Sequence, residues 1–81
     1  MDAETIKRMI EAGLPDSQAQ VSGEDGSHFE AIVVSAAFAG KTPVQQHRLV
    51  YATLGDSMHS AIHALALRTL TPAEWQATQS T

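Results

Sequence analysis

Cysteine is missing altogether from this chain of 81 residues. No disulfide can brace the fold, no thiolate is available as a nucleophile, and a zinc or iron–sulfur site built from this chain's own cysteines is excluded. Metal ligation would fall to four histidines and nine acids. Long apolar runs are also missing: none approaches the ~18 residues a membrane span needs, so no membrane partner is expected. A surplus of basic charge is missing as well. The net charge is −4 and the pI is near 5.3, which argues against broad binding to a phosphate backbone while leaving room for a local basic patch. The opening Met1-Asp2-Ala3-Glu4 is acidic, unlike a secretory signal or transit peptide, and the expected localisation is cytoplasmic. There is no internal repeat, linker or low-complexity segment. No nucleophile elbow, phosphate loop or paired-carboxylate motif is present either, so no enzyme is expected.

What is present is the composition of a folded domain. Hydrophobic residues make up 43% and charged residues 17%, too apolar and too weakly charged for disorder. A single domain is expected over residues 1–81, with its core at about 3–76 and a frayed tail at 77–81. A core this small leaves a slim margin of stability, so a partner or a weak homodimer is expected.

The pattern predicts the order α-β-β-α-(α)-β-α. Asp2 caps a first helix over 3–12, in which Ile6, Met9, Ile10 and Leu14 share one face. Gly13 is expected to end it at a position of positive φ, with Pro15 beyond. Strands follow at 18–22 and 28–35, joined through Asp25-Gly26 as a type I′ hairpin. The run Ile32-Val33-Val34 is apolar on both parities, which suits the middle of a sheet. Pro43 opens a helix over 43–54, with Val44, His47, Tyr51, Leu54 and Met58 at helical spacing. Gly55 breaks it and Asp56 caps one more turn through His59. A third strand is expected over 62–68. Thr71, Pro72 and Glu74 then form a capping box for a last helix, with Leu70 and Trp75 placed for a hydrophobic staple. The hairpin is antiparallel, and the strand–helix–strand crossover makes the third strand parallel to the second. The fold class is α+β: a three-stranded mixed sheet covered by helices.

Several side chains admit more than one reading. His63 shares strand parity with Leu65 and Leu67, which by itself describes a half-buried histidine at a sheet rim. His59 and His63 are four apart, the spacing of a metal-binding helical pair, but the strand pattern splits them between two elements. His28 reads as a solvent-facing strand start or as a ligand, and Asp25 as the usual residue of an Asp-Gly turn or as a ligand. Lys41, His47 and Arg48 form a candidate basic cluster that reads equally as a solvated face. Gly23-Glu24-Asp25-Gly26 matches a GxxG phosphate clamp by letter only; it lies between strands and carries two acids.

Five strings, in order and spacing, resemble the BolA family over about residues 4–76. They are Gly26-Ser27-His28-Phe29 running into Val33-Val34-Ser35, Phe38-Ala39-Gly40-Lys41, Gln46-His47-Arg48-Leu49-Val50-Tyr51, Ile62-His63-Ala64-Leu65-Ala66-Leu67, and Thr69-Leu70-Thr71-Pro72-Ala73-Glu74-Trp75. The short Gly-Glu-Asp-Gly hairpin looks like the IbaG-like branch. The resemblance implies a fold similar to the class II KH domain. It also implies a partner, a monothiol glutaredoxin, with which such proteins share a [2Fe–2S] cluster that also takes a glutathione thiol. No cluster is expected in the isolated protein. On this resemblance His63 is the main metal ligand, and the second ligand comes from the loop between the first two strands, with Asp25 and His28 as candidates. A histidine ligand in place of cysteine raises a cluster's potential and makes ligation sensitive to pH. Some members are assigned DNA-binding, transcription-regulator roles, for which Lys41, His47 and Arg48 are the candidates. The chain departs from the family pattern twice. It has no loop cysteine, Asp25 standing at that position. It also has Gln46 where many relatives have Arg, which removes one positive charge from the helix associated with DNA contact.

Overall fold

The computed structural model describes residues 1–23, 25–60, 62 and 64–79. Its elements are α1 (Ala3–Gly13), β1 (Ser17–Ser22), β2 (His28–Ser35), a 3-10 turn (Ala36–Phe38), α2 (Pro43–Leu54), α3 (Ser57–Ser60), β3 (Ala64–Leu70) and α4 (Pro72–Gln79). The sheet order is β1-β2-β3. β1 runs antiparallel to β2, with Ser17 opposite Ser35 and Ser22 opposite Glu30. β3 runs parallel to β2, with His28 opposite Ala64 and Val34 opposite Leu70. The mixed sheet expected from the sequence is therefore the sheet observed, with the most apolar strand at its centre.

The side chains alternate across the sheet, as period-two geometry requires. Ala19, Phe29, Ala31 and Val33 are buried on one face beneath Ile6 and Ile10 of α1 and Val50 and Leu54 of α2, with Phe38 and Ile62 completing the core. On the opposite face α4 packs over one end, where Val34, Pro72 and Trp75 line a shallow depression. The other end of that face, at Gln20, Ser22, Glu30, Ala66 and Arg68, is exposed. No helix among the described residues is long and apolar enough to cross a membrane.

Local chemistry sets the helix starts. The Asp2 carboxylate accepts the Thr5 amide at 2.8 Å. Thr71 and Glu74 form the expected capping box, Glu74 Oε1 accepting the Thr71 amide at 2.8 Å and Thr71 Oγ1 accepting the Glu74 amide at 3.2 Å. The start of α2 repeats it with Thr42 and Gln45. Thr-Pro-x-Gln at 42–45 and Thr-Pro-x-Glu at 71–74 are the same device, each satisfying amides that the first helical turn leaves unpaired.

Four expectations need correction. Gly13 is the last residue of α1 and is not among the glycines of positive φ. Its role is close approach, because a Cβ there would lie 2.6 Å from Thr53 Cγ2 of α2. The link between β1 and β2 is a five-residue loop, 23–27, and not a two-residue type I′ turn. β3 begins at Ala64 and extends to Leu70, whereas Ile62 precedes it, buried, with its amide donating to the Ser57 carbonyl at 2.9 Å. Finally, α2 is rotated relative to the expected stripe: Gln46, Val50 and Leu54 face the core, while Val44 and Tyr51 are 59% and 37% exposed.

Candidate functional site

Asp25 and His28, two of the sequence-predicted ligands, belong to the end of the sheet where β1 finishes and β2 and β3 begin. His28 opens β2 and is paired with Ala64, the first residue of β3. The Ala64 amide donates to the Ser27 carbonyl at 3.2 Å. The 23–27 loop and the entry to β3 are thus held side by side. Gly23 makes this possible on the β1 side: a Cβ there would run into the Phe29 ring and lie 2.8 Å from the His28 carbonyl. Ser22, Gly23, His28, Phe29, Ala64 and Ala66 line a shallow open pocket of about 470 Å³ at this end.

Asp25 organises the loop. Its Oδ1 accepts the amides of His28 at 2.8 Å and Ser27 at 3.0 Å, and its Oδ2 lies 2.7 Å from His28 Nδ1. Those two amides, the His28 one first, and then the imidazole hold the Asp25 carboxyl well below the usual carboxylate range. Ser27 Oγ lies 3.3 Å from the same His28 Nδ1. Asp25 and His28 therefore form one hydrogen-bonded unit. Asp25 performs turn duty within it, and a carboxylate on Nδ1 is the arrangement that fixes the tautomer and orientation of a ligating histidine. His63 lies outside the described residues, as does Glu24. Among the described residues no three His, Asp or Glu side chains converge as a metal site. Asp25 and His28 alone are too few to encircle a metal.

The basic candidates lie elsewhere, on and just before α2. Lys41 and Arg48 are exposed. His47 is half-buried, its ring edge-on to Tyr51 with centroids 6.4 Å apart. Gln46 does not belong to that surface. It is 9% exposed, its Nε2 donates to the carbonyls of Phe38 at 3.1 Å and Lys41 at 3.0 Å, and its Oε1 accepts the Thr69 hydroxyl at 2.6 Å. The departure from Arg at this position is therefore a feature of the interior and not a charge lost from a DNA-contact face. Sequence reasoning missed this role because its three partners stand 5, 8 and 23 residues away. The one available signal was a polar residue in register with Val50 and Leu54.

A family model described as BolA-like protein matches residues 8–74. The chain belongs to the BolA family. Among its BolA relatives, the DNA-binding transcriptional regulator BolA of Vibrio cholerae is 56% identical over 50 residues, covering 62% of this chain and 47% of that protein. Human BolA-like protein 1 is 35% identical over 80 residues, covering 88% of this chain and 58% of the relative. The chain thus spans about half to three-fifths of the curated relatives' length. The solved structure of a BolA homologue from Coxiella burnetii is 47% identical, covers 94% of this chain and 97% of that one, and superposes with a TM-score of 0.85.

Proposed function

We propose that this BolA-family chain is an accessory protein of iron–sulfur metabolism. It binds a monothiol glutaredoxin and co-ligates a [2Fe–2S] cluster with it, serving cluster trafficking or iron sensing. The observation that supports this reading is the pairing of His28 with Ala64, together with the Ala64–Ser27 hydrogen bond. It brings the 23–27 loop and His28 beside Ala64, the first residue of β3, and Ala64 follows the proposed ligand His63 in the sequence. Of the two candidates for second ligand, His28 fits better than Asp25. Asp25 is already bonded to two amides and an imidazole nitrogen, and a carboxylate replaces thiolate poorly on a soft iron–sulfur centre. When the partner's cluster is bound, the histidines would supply neutral imidazole donors, so acidification through the imidazole range should weaken the mixed complex.

The test is a titration of the protein into a cluster-loaded monothiol glutaredoxin, followed by visible circular dichroism. A new spectrum should develop to a fixed stoichiometry and be lost in His63→Ala, with the glutaredoxin returning to its own cluster-bridged form. His59→Ala should leave it unchanged. A wild-type protein that leaves the spectrum unaltered at every ratio would refute the reading.

A second reading, a DNA-binding regulator, draws on the name of the Vibrio cholerae relative and on the exposure of Lys41 and Arg48. The net charge of −4 weighs against it. It requires a sequence-selective complex at physiological salt that is lost in Arg48→Ala, in contrast to weak binding that fades steeply with salt.

A further inference from the structure

We propose that the outer edge of β3 is a homodimerisation surface, on which a second copy of this chain adds its own β3 antiparallel to continue the sheet across a two-fold axis at Leu67. This inference does not depend on the cluster reading. β3 is an edge strand. The Ala64 amide is directed at β2, through the Ser27 carbonyl. Alternation along the strand then turns the backbone groups of Leu65, Leu67 and Thr69 outward. Among the described residues those outward amides have no backbone partner. The strand, Ala-Leu-Ala-Leu-Arg-Thr-Leu, is seven residues long, without proline and with a single charge. An apolar edge of that length is a template for pairing with another chain. The surface beside it is apolar as well. Leu65 and Leu67 are only partly buried, and Val44 and Tyr51 lie on the flank of α2 opposite the flank that carries Thr53, the residue that meets Gly13 of α1.

Charge and strand length together select a second copy and one register. Side chains must keep to their faces, which limits the central antiparallel pairings to those centred on Ala66, Leu67 or Arg68. Centring on Arg68 sets Arg68 directly against its own copy. Centring on Ala66 sets Arg68 opposite the partner's Ala64, beside the partner's His28. Centring on Leu67 pairs all seven residues of the strand and sets Arg68 opposite the partner's Ala66. Ala66 is itself paired with Glu30 on β2. Arg68 and the partner's Glu30 then lie two strand spacings apart, about 9–10 Å between Cα atoms, with only an alanine methyl between them. Both are exposed on the uncovered part of the sheet. Neither makes an ion pair among the described residues of its own chain. The two-fold axis makes the contact twice, against a single diagonal approach of Arg68 to the partner's Arg68 at about 7–8 Å. Cross-strand pairs of opposite charge favour a register and pairs of like charge oppose it.

Sedimentation equilibrium over a wide concentration range tests the proposal, with amide exchange as the site-specific readout. Wild-type protein should dimerise reversibly, and the amides of Leu65, Leu67 and Thr69 should gain protection with concentration. Arg68→Glu should weaken the dimer by about tenfold or more, since two attractions become two repulsions. Glu30→Arg should do the same, and the double exchange Glu30→Arg with Arg68→Glu should restore it. Thermal melting of each variant separates loss of association from loss of fold, and Glu30→Gln replaces any exchanged variant that does not fold. A protein that stays monomeric at the highest concentration would overturn the proposal. So would a dimer that leaves these three amides unprotected, a dimer indifferent to the charge exchanges, or an edge occupied only by an added foreign peptide.

Discussion

The two edges of this sheet are finished differently. β1 is polar, Ser-Gln-Ala-Gln-Val-Ser, and its neighbour α1 reaches over it: Glu11 Oε2 accepts the outward Ala19 amide at 3.0 Å. A carboxylate on an edge N–H satisfies a backbone donor and sets a charge where a foreign strand would have to dock. β3 has no such cover among the described residues. It is tied down from its face, through the Thr69 hydroxyl on buried Gln46, and its outer backbone groups are left open. A polar strand with one outward amide capped by a carboxylate thus stands against an apolar strand with none capped among the described residues.

The largest expected effect comes from cutting the face anchor of β3. Gln46→Ala takes their partner from the Lys41 carbonyl and the Thr69 hydroxyl, while the Phe38 carbonyl keeps only the Lys41 amide at 3.1 Å. The loss should be about 2–3 kcal/mol, because three hydrogen bonds go and two part-buried polar groups lose their partner. Urea denaturation measures it. Amide exchange should show β3 opening more readily while β1 stays protected. A variant as stable as wild type would mean that the network contributes little and that β3 is held by apolar packing alone.

Breaking the comparison from the other side has a smaller effect. Glu11→Ala uncovers the Ala19 amide and should cost roughly 1–2 kcal/mol, the range for a part-buried, charge-assisted hydrogen bond. The more telling readout is exchange at Ala19, which should quicken specifically, and self-association, which should rise as β1 comes to resemble β3. Glu11→Gln keeps an acceptor and should recover most of the protection. If Ala19 exchanges no faster in Glu11→Ala, the carboxylate is not what closes that edge.

These features divide by range. The central strand, the capping box at Thr71 and the helix over 43–54 were legible because each is a local pattern, readable from a few consecutive residues. The rotation of α2 was not. Val44, His47 and Tyr51 have the spacing of a buried stripe, but the segment before α2 presents the Phe38 and Lys41 carbonyls to the helix, and Gln46 takes the core side to meet them. The Glu11 contact spans eight residues and joins a helix to a strand edge, a pairing that periodicity does not encode. At the candidate site the residue types were legible in Ser27-His28 and Asp25. That Asp25 and His28 form a single unit was not, because it depends on the conformation of a five-residue loop, where Asp-Gly suggested a tighter turn.

The smallest effect concerns that loop, which lies at the end of the sheet and belongs to neither edge. Asp25 is held below its ordinary value by the His28 and Ser27 amides and by the His28 ring. A carboxyl lowered in the folded state contributes fully above its unfolded pKa, about 3.9. That contribution is lost as the pH falls from there through the folded value. From pH 5 to 8 Asp25 should therefore add no slope to stability, and any slope in that range must come from other groups. Both side chains of the pair are more than half exposed, so solvent screening keeps the effect on unfolding small. It is better read locally. The amide shifts of Ser27 and His28 should move together only well below the ordinary carboxylate range, where the depressed carboxyl takes its proton. In Asp25→Asn that movement should vanish, while the side-chain oxygen still accepts both amides and keeps the turn. The same variant separates the two roles at the site. If Asp25 only orients His28, Asp25→Asn should leave the visible spectrum of the mixed cluster complex in place, and His28→Ala should change it. The reverse pattern would make Asp25 the ligand and His28 its support.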